Sequence, residues 1–143
     1  MQICKSLFYS KSFKDIASYG YCASKKETYF GLKLHALVTI DGFISDFFLT
    51  SAGIDDRLAV FELTENKPSL EIIADKSYID DDLKCQLKKE KNILLISLKR
   101  KNSKDPLEKQ LRNVLSKRRR RIETSFSQLA DQFNINKVMA KSK

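Results

Sequence analysis

The sequence contains no apolar run long enough to cross a membrane and no pattern of a secretion signal. Its apolar runs are short, for example 58–61 and 93–96, far below the ~20 residues that a membrane helix needs. The first residues, MQICKSLFYS, include no long apolar core followed by a small-residue cleavage site. We therefore expect neither a membrane protein nor a secreted one, and the cytoplasm is the expected compartment.

Cysteine is also scarce. Cys4, Cys22 and Cys85 are an odd number at scattered spacings, which fits neither a disulfide framework nor a zinc site and indicates a reducing compartment. The composition, 42% apolar and 31% charged over 143 residues, is typical of a soluble globular chain. We expect one domain over residues 1–143 with a core of its own.

Negative charge is in the minority. Against 18 Asp and Glu stand 27 Lys and Arg, which gives a formal net charge of +9. Neutralising phosphates releases condensed counterions, so clustered basic residues predict salt-dependent binding to nucleic acid. The alternative is that the lysines and arginines serve solubility alone. Clustering in the last third of the chain favours nucleic acid, and the candidate contacts are Lys99, Arg100, Lys101, Arg118, Arg119, Arg120 and Arg121.

The order of predicted elements is that of an α/β protein. Alternating apolar residues over 29–40 predict a strand, and Asp41-Gly42 predicts a turn into a returning strand over 43–50. The later pattern predicts a helix over about 56–66 capped by Asp55 or Asp56, a buried strand over 70–75, a helix over 80–91, a buried strand over 93–98, a basic loop and a long helix over roughly 107–133. This order predicts a mixed sheet with flanking helices. Residues 1–28 favour no element.

Two carboxylates lie where functional groups are common in α/β proteins. Asp75 ends the strand 70–75, where it either carries function or caps the next turn. Glu123 lies on the flank of the apolar stripe of the last helix, so it either faces the edge of the sheet or pairs on the helix surface with Arg119 or Arg120. The residues of that stripe are Leu111, Leu115, Ile122, Phe126, Leu129 and Phe133.

Several segments between residues 3 and 141 resemble, in order, the C-terminal half of transposases of the insertion sequence 982 family. They are GYCASKKETYFGLKLHALVTIDGFISDFFLTSAGIDDR, IIADKSYI, LKRKN and RRRRIETSFSQLADQFNI. The resemblance implies an RNase H-like catalytic domain of the DDE type with three metal-binding carboxylates. Asp75 matches the second of them and Glu123 the third. In such sites two Mg²⁺ ions ~4 Å apart clamp the scissile phosphate.

A further part of the resemblance concerns the strand predicted over 29–40. Gly31, Lys33 and His35 match a Gly-x-Lys-x-His pattern of the family. Lys33 and His35 share a face, so they either contact DNA near the metal ions or form a solvated strand face. Arg119 matches an arginine that related transposases have four residues before the glutamate.

The chain also departs from the family. The resemblance implies that the first aspartate lies upstream of Met1, on a central strand between the second and the fourth, so we expect an incomplete RNase H-like sheet. Ser77 replaces the usual glycine of the family's Asp-Lys-Gly-Tyr motif. Asp15, Asp41 and Asp46 lie in the wrong segment or beside the hairpin turn, and none matches the first position.

Three hypotheses follow. The chain is a truncated, catalytically inactive transposase fragment, or a DNA-binding fragment that competes with an intact transposase for its ends, or a small nuclease that uses Asp15, Asp41 or Asp46. The expected cofactor is Mg²⁺ and the expected partner is transposon-end DNA in the bacterial cytoplasm. The intact protein is expected to form a homo-oligomer.

Overall fold

The computed structural model describes residues 2–3, 13, 15–22, 25–75, 78, 80–97 and 109–135. The elements in chain order are β1 (Gln2–Ile3), β2 (Ser18–Cys22), β3 (Glu27–Val38), β4 (Ile44–Ser51), α1 (Asp56–Leu63), β5 (Glu71–Ala74), α2 (Asp81–Lys91), β6 (Leu94–Ser97) and α3 (Lys109–Phe133). The predicted α/β class is confirmed.

β3 is the centre of an antiparallel sheet. It pairs with β4 through the predicted hairpin, whose turn is closed by Thr39 N–H donating to Phe43 O at 2.8 Å. Gly42 lies in that turn with φ +99°, a conformation that favours glycine. β1 and β2 pair with β3 as well, β1 at Leu32 and Lys33. Because β4 pairs with these same two residues, β1 and β4 lie on opposite edges of β3.

β5 and β6 form a separate parallel pair. Both helices beside it begin after a capping aspartate. Asp55, one of the two predicted caps, accepts from Arg57 N–H, and Asp80, the first residue of the predicted second helix, caps it by accepting from Asp82 and Leu83 N–H. α1 ends earlier than predicted, at Leu63, where the Thr64 hydroxyl donates to Val60 O at 2.7 Å. The core of this region contains the buried residues Val60, Ala74, Leu83, Leu87, Ile93 and Leu95.

The described strands form two sheets, not the one mixed sheet that the pattern predicts. The pairing of β1 with β3 stops at Lys33, and no described strand pairs with residues 36–38 on that edge. β5 likewise pairs with β6 and with no other described strand. A gap between β3 and β5 therefore separates the two sheets.

β2 is an element that the sequence did not predict. Residues 18–22 lie in a polar and aromatic stretch that favours no element, and the strand forms because it pairs with residues 27–31 of β3. Tyr19 stacks edge-to-face on Phe30, with ring centroids 5.1 Å apart. Cross-strand contacts, and not local sequence, thus define this strand.

α3 packs against both sheets. Leu115 is buried, and Phe126 and Leu129 pack on Leu32 and Leu34 of β3. The two ends of the predicted stripe, Leu111 and Phe133, are 47% and 71% exposed because no described element covers them. None of the described helices has the length and apolar character needed to cross a membrane.

Candidate active site

Asp75 directly follows β5. Ala74, the last residue of the strand, is buried, whereas Asp75 is exposed at the carboxyl end of the sheet. The turn after it is closed by Tyr78 N–H, which donates to Asp75 O at 3.1 Å. The backbone of Asp75 thus takes part in the turn, while its side chain reaches α3.

Arg119 of α3 pairs with Asp75 and also binds the second predicted carboxylate. Arg119 Nη1 lies 3.1 Å from Asp75 Oδ1, and Arg119 Nη2 donates to Glu123 Oε1 at 2.7 Å. The predicted pairing of Glu123 with an arginine one turn back is therefore confirmed. One guanidinium bridges a carboxylate from the end of β5 and a carboxylate from α3, two residues 48 positions apart in the sequence.

Both carboxylates line a cavity of about 320 Å³ between β3, β5 and α3. Lys33 and His35 of β3 line it too, so the structure brings together Asp75, Glu123, Lys33 and His35. Lys33 Nζ is bound to Asp56 Oδ1 at 2.7 Å and to Ile54 O at 2.6 Å. Charges of both signs therefore meet at this cavity, in an otherwise apolar lining.

His35 is buried, so the interpretation of its strand face as solvated is wrong for this residue. Its Nε2 lies 3.0 Å from the Thr50 hydroxyl and its Nδ1 lies 3.3 Å from the Tyr78 hydroxyl. Burial lowers the pKa of His35 below its usual value of 6.5, and the nearby Asp56 opposes this shift. The neutral imidazole connects β3 to the turn that follows Asp75.

Tyr78 and Asp56 are residues of this site that the sequence reasoning did not single out. Burial raises the pKa of the Tyr78 hydroxyl, so it stays protonated and can donate or accept beside His35. The position of Tyr78 three residues after Asp75 was a usable signal. The sequence signal for Asp56 was weaker. Asp56 is adjacent to the helix cap Asp55 and is also an aspartate, so either residue could be the cap.

The arginine run is distributed around α3. Arg119 turns to the carboxylates, whereas Arg118, Arg120 and Arg121 are exposed. This exposed set lies on the same helix as Glu123, two to five residues before it. The other predicted basic contacts, Lys99, Arg100 and Lys101, lie outside the described residues, as does Ser77.

The described residues do not provide a complete metal site. No three His, Cys, Asp or Glu side chains among them come together as possible ligands of one metal ion. Asp75 and Glu123 are two carboxylates, and the cation that they share in this structure is the Arg119 guanidinium. Asp46 instead pairs with Lys67 at 2.7 Å, and neither Asp15 nor Asp41 is among the residues that line the cavity. This donor set falls short of the three carboxylates that the resemblance implies.

A comparison with known families identifies the class of domain to which these features belong. The family model of the transposase DDE domain matches residues 1–143, the whole chain. The chain therefore belongs to the DDE transposase family, whose members carry out DNA transposition as polynucleotidyl transferases. DNA is the partner that this membership implies, and a divalent metal ion is the cofactor general to the family. No characterised protein and no solved structure matches the chain.

Proposed function

We propose that this chain derives from a transposase of the insertion sequence 982 type with an RNase H-like domain, and that it contributes Asp75 and Glu123 to the Mg²⁺ site. The observation that supports this proposal is the convergence of the two carboxylates on Arg119, from the end of a buried strand and from a long helix. Mg²⁺ prefers carboxylate oxygens, and two-metal phosphoryl chemistry needs several of them. Two carboxylates are too few, so residues 1–143 alone are proposed to be catalytically inactive.

A cleavage assay tests this proposal. We expect the purified chain neither to cleave nor to join duplex DNA carrying terminal repeats, with Mg²⁺ or with Mn²⁺. Asp75→Asn should then behave as the unmodified chain does. Metal-dependent strand transfer that Asp75→Asn abolishes would overturn the proposed inactivity, and Asp15→Asn, Asp41→Asn and Asp46→Asn would then show whether one of these aspartates completes the site.

A second candidate function is supported by the exposed arginines of α3. We propose that the chain binds transposon-end DNA through Arg118, Arg120 and Arg121, in the bacterial cytoplasm, and competes there with intact, oligomeric transposase. These side chains are exposed on the helix that carries Glu123, and Arg118 and Arg121 line a second cavity of about 420 Å³ together with Arg119. Arg119 is not among the proposed DNA contacts, because its guanidinium is paired with Asp75 and Glu123.

A salt titration with matched charge variants tests the DNA contact. Replacing Arg118, Arg120 and Arg121 by Gln lowers the net charge from +9 by three, to +6, and so does replacing Lys84, Lys88 and Lys89 of α2. If the arginines contact phosphates, their loss should flatten the slope of log affinity against log salt by about 0.9 each, or up to about 2.7. The lysine variant should keep the slope. Equal slopes in the two variants would mean that only the net charge affects binding, and would contradict a direct contact between these arginines and DNA.

A further inference from the structure

One guanidinium holds the two carboxylates of the candidate active site. Arg119 Nη1 lies 3.1 Å from Asp75 Oδ1, and Arg119 Nη2 donates to Glu123 Oε1 at 2.7 Å. We call these three residues the arginine bridge. The two Nη atoms are attached to the same carbon atom in a rigid fork, so the carboxylate oxygens that they bind are close neighbours. The bridge therefore gathers two carboxylates, from the end of β5 and from α3, around one positive charge.

The three members of the bridge differ in their exposure to solvent. The side chain of Arg119 is 27% exposed, whereas the side chains of Asp75 and Glu123 are each 55% exposed. Arg119 stands four residues before Glu123, so the two side chains lie on one face of the helix. The carboxylates are thus the accessible members of the bridge, and an ion from solvent can reach them.

A divalent metal ion and Arg119 compete for the same pair of carboxylates. Mg²⁺ can be held by one or two carboxylates together with retained waters, and it needs its oxygen ligands at about 2.0–2.1 Å. In the bridge, the guanidinium already lies against one oxygen of each carboxylate. Two cations between the same two carboxylates repel each other, so the guanidinium must move before an ion can be shared by Asp75 and Glu123. The bridge and the shared ion are therefore alternative states.

We propose that Arg119 is a built-in competitor of the metal ion: its guanidinium holds Asp75 and Glu123 in the metal-free chain and leaves them when they share a divalent ion. The proposal rests on the proposed role of Asp75 and Glu123 as metal ligands. By linkage, the bridge weakens ion binding by the same factor by which the ion weakens the bridge. All three residues belong to the described part of the chain, so the exchange involves contacts that this chain makes itself.

A Mn²⁺ titration of the isotope-labelled full chain tests the proposal by nuclear magnetic resonance, because paramagnetic Mn²⁺ broadens the amide signals close to it. We expect the signals of Asp75 and Glu123 to broaden. Arg119→Gln removes the competing cation, so half-maximal broadening should need about fivefold less Mn²⁺, the lower end of typical coupling between two sites. Lys117→Gln removes the same charge from an exposed position of α3 outside the bridge, and its midpoint should stay near that of the unmodified chain because solvent and salt screen an exposed charge. Equal midpoints in the two variants would overturn the proposal.

A Mg²⁺ titration of the unmodified chain follows Arg119 directly. The side-chain Nε–H signal of Arg119 should shift at the same midpoint as the amide signals of Asp75 and Glu123, since all three report one exchange. Amide signals that respond while the Arg119 signal stays fixed would mean that the ion binds beside an intact bridge, and would overturn the proposal. This measurement needs no substitution, so it decides even if Arg119→Gln does not fold.

Thermal unfolding gives a further readout. Arg119→Gln leaves the two carboxylates without the cation that they share, so Mg²⁺ should raise its melting temperature more than it raises that of Lys117→Gln. Equal rises in the two variants would contradict the competition.

Asp75→Asn separates a failure of this proposal from a failure of the proposed metal ligands. Broadening that Asp75→Asn abolishes, with one midpoint whether or not Arg119 is present, would contradict the competition and leave the ligands in place. Broadening that Asp75→Asn leaves unchanged would contradict the role of Asp75 as a ligand, and the competition with it.

Discussion

The two sheets differ in how each is stabilised. The parallel pair β5 and β6, with α1 and α2, has a continuous cluster of buried side chains that includes Leu87 and Ile93, both fully buried. The described cluster of the antiparallel sheet contains Leu32 and Leu34, and α3 supplies much of its cover through Phe126 and Leu129. The difference indicates that the parallel region is held by its own core and the antiparallel region by contacts made from outside it.

Exposed apolar residues follow the same division. Tyr19, Tyr21, Phe43 and Phe47, all in the antiparallel region, are each more than 60% exposed. The candidate active site lies on the boundary between the regions: Asp75 comes from the parallel side, His35 from the antiparallel side, and α3 joins them. The geometry of the site therefore depends on how firmly the two regions are coupled.

The largest expected effect compares one leucine from each region. Leu87 is 0% and Leu34 is 5% exposed, so burial alone predicts similar losses on truncation. Leu87→Ala leaves an enclosed cavity and should cost about 3 kcal/mol of unfolding free energy. Leu34 already lines the open cavity, so Leu34→Ala should cost roughly half as much, since its site is less enclosed. Urea denaturation followed by circular dichroism measures both values.

Hydrogen exchange on the same variants separates local from global effects. Leu87→Ala should raise exchange mainly in α2 and β6, and Leu34→Ala mainly in β3 and β4. Equal free-energy losses, or the same exchange pattern in both variants, would mean that the two sheets share one cooperative core. Either result would contradict the conclusion that the two sheets are stabilised differently.

Local patterns in the sequence predict most of the elements of the parallel region. The caps Asp55 and Asp80 and the apolar runs of β5 and β6 are short-range signals, so these elements lie within a few residues of their predicted bounds. The family resemblance indicated that Asp75 and Glu123 belong to one site. Hydrophobic periodicity could not indicate this, because it is a local pattern and the two residues are far apart in the chain.

The features that could not be predicted from the sequence depend on contacts between residues far apart in the chain. β2 exists because β3 is beside it, and the division into two sheets depends on which strands meet across the gap. The burial of His35 likewise depends on two distant residues. Thr50 lies on the neighbouring strand β4, and Tyr78 lies in the turn that follows Asp75. The bridging role of Arg119 requires the position of α3 over the end of β5, which four consecutive arginines do not specify.

A smaller effect concerns the contact that joins the regions, between His35 and Tyr78. Since burial lowers the folded-state pKa of His35, the unfolded chain binds a proton first as pH falls below 6.5. Stability is therefore fully present above that pH and is lost as pH falls toward the folded-state pKa. We expect the unfolding free energy to fall between pH 7 and pH 5.5, by no more than the limit of ~1.4 kcal/mol per pH unit for one proton.

His35 is the one histidine of the sequence, so this pH window isolates it from other ordinary titrations. His35→Gln keeps a polar side chain and should flatten the profile between pH 7 and pH 5.5. Tyr78→Phe should cost about 1 kcal/mol at pH 7 by removing one hydrogen-bonding partner, while the slope with pH persists because His35 remains buried. A slope that His35→Gln leaves unchanged, or stability that rises as pH falls, would contradict a buried neutral imidazole as the link between the two sheets.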